Sequence, residues 1–283
     1  MKINLKSSFF WVRYGALAMF VGRAWQHFWW DAPYRSLFWD ERMMSPVVRY
    51  FGLTWQQFTH DLRFDAAFTV LTRGYGVLDA VCALLLLLGW WRHRLARFVL
   101  WVGVAHCCLL ATVYCKESFY HVGQWFEFSL QIALPVAVLC WQWRYIGVFL
   151  KLACCLTFIC HGLYAVGYYP VPGDYVDMLL NVFGGSEASA RQLLLAFGVL
   201  DIIAAMLVWL RGWPQKVGLA YFIIWGFLTT IARVYAHYYP ETGLASAFDN
   251  WWFHSMYRFP HWMGPLAVWF WASAKRDDLE ASA

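Results

Sequence analysis

GVLDAVCALLLLLGWWRHRLARFVLW, residues 76–101, decides the fold. An apolar run ends in a turn carrying Arg92, His93, Arg94 and Arg97, and a second apolar run follows at once. That is the pattern of two membrane helices joined by a short cytoplasmic turn. The stretch has a companion at 198–223, GVLDIIAAMLVWLRGWPQKVGLAYFI, which repeats the tetrapeptide. It also repeats Ala83 as Ala205, Leu85 as Leu207, Trp91 as Trp213, and the basic Arg94 as Lys216.

Composition extends this reading to the whole chain. Of 283 residues, 61% are hydrophobic and 14% charged, against roughly 25% charged in a soluble domain. Eight spans are expected, at about 8–29, 66–90, 97–115, 120–142, 146–168, 191–210, 217–237 and 257–274. The fold class is an all-α integral membrane protein. Arg13 and Arg23 interrupt the first apolar run and no small-residue cleavage site follows, so it reads as a retained span.

The basic turns, with Arg144, Arg211, Lys216 and the ends at Lys2, Lys6, Lys275 and Arg276, fall on one side. By the positive-inside rule both termini are cytoplasmic, in a bacterial inner membrane. The net charge of +5 is thereby accounted for, and no nucleic-acid partner is expected. The long connections 30–65, 169–190 and 238–256 lie on the other side and carry most of the acids. Eight cysteines without a CxxC pair read as packing residues.

The matched order of spans predicts two parallel tandem units of four helices, 1–143 and 144–283. Asp79 and Asp201 then occupy equivalent mid-membrane positions. Either they are structural, each pairing with a buried arginine or hydroxyl, or they form a coupling site.

Ionisable groups in a span are costly and face partners or water-filled cavities. In HVGQWFEFSLQIALP the residues His121, Gln124, Glu127 and Gln131 share one helix face. His254, Arg258 and His261 fall at i, i+4 and i+7, and Arg233 and His237 at i and i+4. Arg23, His27 and Asp31 follow at successive i+4 spacings. A single histidine or glutamine of this kind is commonly an interhelical hydrogen-bonding residue; the clustering is what points to a site. Two outward pockets are expected: Arg23, His27, His121, Gln124 and Glu127 in one, and His161, Arg233, His237, His254, Arg258 and His261 in the other. Such a mixture suits a quinone head group, an anionic metabolite or a lipid head group. Metal is least supported, because no helix offers a recognised His pair plus carboxylate. No CxxCH, Rossmann or phosphate-loop fingerprint occurs. Residues 30–45, WDAPYRSLFWDERMMS, predict a short interfacial helix started by Asp31 and ended at Ser45-Pro46.

The polar, aromatic insertion after the first span, the turn WWRHRLA and a fourth span ending in LP resemble the DoxX-like superfamily. The segments FWDE and GWWRHRLA look most like the transmembrane domain related to vitamin K-dependent carboxylase. The resemblance covers residues 1–143, and the second half through the repeat. It implies the fold and a leaning toward quinone-linked work, as in the membrane subunit of thiosulfate:quinone oxidoreductase; no catalytic residue carries over. The expected function is binding of a quinone-like or small amphipathic molecule, with the chain a membrane subunit alongside a partner. His121 and Glu127 would handle protons, and Arg23 or Arg258 would steady an anionic head group. The alternative is a non-catalytic lipid or metabolite carrier, or a membrane assembly factor.

Overall fold

The fold was analysed as a computed structural model that describes residues 2–241 and 243–281, with side chains at 4–241 and 243–274. Among the described residues there are helices and no strands. The first half contains α1 (Lys2–Trp29), α2 (Arg35–Phe38), α3 (Glu41–Tyr50), α4 (Trp55–His60), α5 (Leu62–Leu87), α6 (Arg94–Glu117), α7 (Val122–Glu127) and α8 (Ser129–Leu139). The second contains α9 (Ile146–Ala165), α10 (Gly173–Phe183), α11 (Glu187–Trp209), α12 (Trp213–Tyr235), α13 (Gly243–Met256) and α14 (Pro260–Ala281).

Helices α5, α6, α9, α11 and α12 are long and apolar enough to cross a membrane. Their outer sides expose large apolar side chains: Leu84, Phe98, Met206 and Ile224 are each more than half exposed. A soluble protein does not leave so many such groups in water; facing lipid, they are in their preferred solvent. The chain is an all-α, multi-pass membrane protein.

In the bundle α1 lies along α5 and α14, while α9 lies along α11 and against α7 and α8. Each half thus packs its first helix against the last helix of the other. One apolar core runs through both, from Phe20 and Leu134 to Phe158, Phe222 and Val268. A reciprocal glycine seam joins α9 to α11. A Cβ on Gly198 would stand 2.8 Å from the carbonyl oxygen of Gly162, and one on Gly162 would stand 2.8 Å from that of Gly198. Only glycine admits so close a backbone approach.

Four local expectations are corrected. The span expected at 120–142 is broken at Phe128, between α7 and α8. The break survives because Thr157 of α9 accepts the freed amide of Leu130 at 3.2 Å. The stripe expected through His254, Arg258 and His261 is also broken. Helix α13 ends at Met256 and α14 begins with Pro260, whose missing N–H and fixed φ suit a helix start. Residues 30–60 form three short helices rather than one. Within them Asp40, not Asp31, caps α3 by accepting from the Met43 amide at 3.2 Å. Pro46 sits inside α3 instead of ending it; the one amide lost there belongs to a helix largely open to solvent, where water can serve the orphaned carbonyl. Finally, the connections 169–190 and 238–256 hold two further helices, α10 and α13. The terminal charges at Lys2, Lys275 and Arg276 lie outside the described side chains.

Candidate functional site

Two neighbouring cavities draw on residues from both expected pockets. A small cavity of about 70 Å³ between the halves is lined by Arg23, Gln124, Glu127 and Gln131 from the first half and His161, Arg258 and His261 from the second. A larger one, of about 290 Å³, shares His161, Arg258 and His261 and continues past Arg233 and Tyr175. Beyond them it is apolar, walled by Phe158, Leu179, Leu194, Phe197 and Trp225, with Asp201 on its margin. A polar cavity and an apolar one therefore share three lining side chains.

The polar end is rich in unused donors. Nε of Arg233 and Nε of Arg258 are buried donors with no hydrogen-bond partner, and Nε2 of His161 is a buried ring nitrogen that also has none. Among the described residues Arg23, Arg233 and Arg258 make no ion pair. Arg23, 2% exposed, donates instead to neutral groups: Gln26 Oε1 at 2.7 Å and Gln131 Oε1 at 2.7 and 3.2 Å. Its guanidinium lies 3.9 Å from the centroid of Tyr257. The carboxylate of Glu127 is held by Gln124 Nε2 at 3.0 Å, the Tyr175 hydroxyl at 3.3 Å and His161 Nδ1 at 3.1 Å. Unpaired buried donors lose free energy until an acceptor reaches them, so the site suits an anion or a carbonyl oxygen.

Other expected residues fall elsewhere. His121, the residue before α7, stacks on Tyr169 with centroids 4.8 Å apart and lines neither cavity. The break at Phe128 separates it from the face of Gln131. His237 donates to the Arg233 carbonyl at 2.7 Å and stacks on Trp251 at 3.5 Å. His254 meets the Tyr257 hydroxyl at 2.5 Å. Asp31 is outside α1 and pairs with Arg35.

His27 leaves the ligand site for a second buried cluster. Its Nδ1 donates to the Arg23 carbonyl at 2.6 Å, and its Nε2 lies 2.8 Å from the Tyr34 hydroxyl. That hydroxyl lies 2.6 Å from His106 Nε2, and His106 Nδ1 lies 3.0 Å from Asp79 Oδ1. Asp79 Oδ2 is 3.2 Å from His27 Nδ1, but the N–H there points at the Arg23 carbonyl, and Oδ2 has no hydrogen bond. Ligand atoms of His27, Asp79 and His106 lie within 4.8 Å of one another. Three helices supply them, which is why spacing along any one helix is silent about a metal.

The twin aspartates thus differ. Asp79 sits between two imidazoles, whereas Asp201 accepts from the Tyr221 hydroxyl at 3.0 Å and borders the larger cavity. Sequence reading missed His106, Tyr34 and Tyr175. An ionisable group inside the apolar run WVGVAHCCLL was the available signal for His106; the two tyrosines carry none.

Over residues 155–239 the chain matches the model of the DoxX-like family. The matched stretch holds most of α9 and all of α10, α11 and α12, the helices that wall the larger cavity. It lies in the second half, away from the FWDE and GWWRHRLA segments. No curated protein and no solved structure matches the chain.

Proposed function

We propose that this protein binds a small amphipathic molecule with a carbonyl or anionic head group, of the quinone class, at the joint between its halves. The observation that carries the reading is the sharing of His161, Arg258 and His261 by a polar and an apolar cavity. A ring's oxygen would take the donors of Arg233 and Arg258 while its apolar part lies among Phe197, Leu194 and Trp225. Glu127, backed by His161 and Tyr175, is the group placed to exchange protons with that oxygen; His121 stands outside the cavities and passes this role to His161. As a membrane subunit of an oxidoreductase, the chain would receive electrons from a partner.

The test is equilibrium binding of a short-chain benzoquinone to protein in lipid nanodiscs. Arg258→Leu should weaken it at least about tenfold, the worth of one charged hydrogen bond, and Leu194→Trp should weaken it by filling the apolar body. Saturable binding that ignores both substitutions would sink the proposal.

A carrier is the second reading, favoured by Asp201, a carboxyl group on the cavity margin with one tyrosine as partner. It requires transport of a bound amphiphile into vesicles to fall with Asp201→Asn.

The proposal includes the architecture. We read eight spans in two tandem copies, 1–143 and 144–283, in a bacterial inner membrane with cytoplasmic ends. In support, Asp79 and Asp201 each lie eight residues before the last residue of their helix, Leu87 and Trp209, and α1 packs on α5 as α9 does on α11.

A further inference from the structure

We propose that His27, His106 and Tyr34 form a binding site for a divalent first-row transition-metal ion, with Asp79 orienting the imidazole of His106 and the Arg23 carbonyl that of His27. The site is separate from the ligand cavities and does not depend on what fills them.

The geometry is that of metal-binding histidines before the metal is added. Such histidines donate one ring N–H to a carbonyl or carboxylate, which fixes the tautomer and leaves the other nitrogen's lone pair for the ion. His27 does this through Nδ1 to the Arg23 carbonyl, at 2.6 Å, and His106 through Nδ1 to Asp79, at 3.0 Å. Both Nε2 lone pairs are thereby directed to one point, the Tyr34 oxygen, at 2.8 and 2.6 Å.

Counting protons exposes the deficit. The four contacts, from the Arg23 carbonyl around to Asp79, need four protons. Two neutral imidazoles, one phenol and a carboxylate supply three. With both imidazoles neutral, a phenol hydrogen satisfies only one of two converging lone pairs, and the other faces oxygen at hydrogen-bond distance without a proton. All four residues are at most 3% exposed, so water does not relieve the mismatch.

A cation seated between the two Nε2 atoms and the Tyr34 oxygen does. A divalent ion takes His27 Nε2, His106 Nε2 and the Tyr34 oxygen as ligands; the phenol proton leaves to solvent as the metal–oxygen bond forms. Spreading the three atoms by roughly half an ångström reaches ordinary metal–nitrogen distances of ~2.0–2.1 Å. The charges then close: two positive on the ion, one negative on the phenolate, one negative on Asp79. Neutrality matters here because a net charge deep in the bundle is costly. Imidazole with phenolate favours zinc, copper or iron over magnesium or calcium.

The experiment uses full-length protein in mild detergent, freed of any affinity tag, stripped with chelator and titrated separately with Zn²⁺ and Cu²⁺. We expect one ion per chain by elemental analysis after desalting. The Cu²⁺ form should show nitrogen hyperfine structure from two imidazoles in its electron spin resonance spectrum, and a phenolate-to-copper absorption band. Tyr34→Phe should abolish the band and His106→Gln the binding. Asp79→Asn should weaken binding by about 10–100-fold, the usual worth of an outer-shell partner. Metal retained equally by a His27→Gln, His106→Gln double variant would overturn the proposal. So would a wild-type protein that takes up none, which would leave the ring a polar network closed by an extra proton. If the double variant fails to fold, the wild-type copper spectrum decides, and absence of nitrogen coupling overturns the site.

Discussion

The guanidinium of Arg23 rests on the ring of Tyr257, 3.9 Å from its centroid. Through that contact the C-terminal part of α1 is tied to the turn between α13 and α14. Arg23 also satisfies the amide oxygens of Gln26 and Gln131. Arg23→Leu should therefore cost about 1–3 kcal/mol by leaving buried acceptors unpaired. Arg23→Lys, which keeps the charge but not the planar fork, should recover only part. Unfolding in mild detergent reads both, and a leucine variant as stable as wild type would contradict the assignment.

The glycine seam gives a prediction with an internal control. Gly198→Ala forces a methyl group against the Gly162 carbonyl and should destabilise by about 1–3 kcal/mol, as overpacking does. Gly74 in α5 has nothing within 4 Å of a built Cβ; Gly74→Ala should stabilise, by up to about 1 kcal/mol, because alanine loses less chain entropy in a helix. The same substitution should thus move the melting temperature in opposite directions at the two sites.

The two GVLD aspartates should respond unequally to the same change. Asp79→Asn disturbs contacts with two buried histidines and is expected to cost about 1–3 kcal/mol. Asp201→Asn keeps an oxygen for the Tyr221 hydroxyl and is expected to cost less than about 1 kcal/mol. Equal losses in thermal unfolding would mean that their surroundings are equivalent after all.

Lys116 at the end of α6 fastens the interfacial segment: its Nζ donates to the Ser36 carbonyl at 2.5 Å and pairs with Asp40 at 2.6 Å. The hydrogen bond from Lys116, with the Met43 amide, holds the Asp40 carboxyl below its ordinary value of 3.8. A depressed carboxyl pKa stabilises the folded state above the unfolded pKa, and the contribution is lost as pH falls through the folded one. The melting temperature of wild type should exceed that of Asp40→Asn at pH 7, and the gap should close below pH 3.8. A gap that persists at lower pH would point to something other than the ion pair.

Much of this was legible in order and type. The apolar runs announced the five long apolar helices, and Arg23, Glu127, His161, Arg258 and His261 were visible as groups needing partners. What could not be read was how they meet. Nothing near Phe128 announces a break, because the stabilising hydroxyl belongs to Thr157 on another helix. The Pro260 boundary was written in the chain, yet helical periodicity carried through it hid the separation of His254 from His261. Tyr34 and His106 lie 72 positions apart, and only the packing of α2 against α6 makes them adjacent.

The backbone contact between Gly162 and Gly198 also bears on what the larger cavity can accept. Helices α9 and α11 meet there without side chains between them, so that side is a stiff jaw that cannot spread around a guest. Facing it, α10 presents Met178, Leu179 and Val182 from an eleven-residue helix, a jaw whose side chains can yield. Guests of different breadth would be gauged on the α10 side, and selectivity among related rings should be altered by reshaping Met178 or Val182 rather than the glycines behind them.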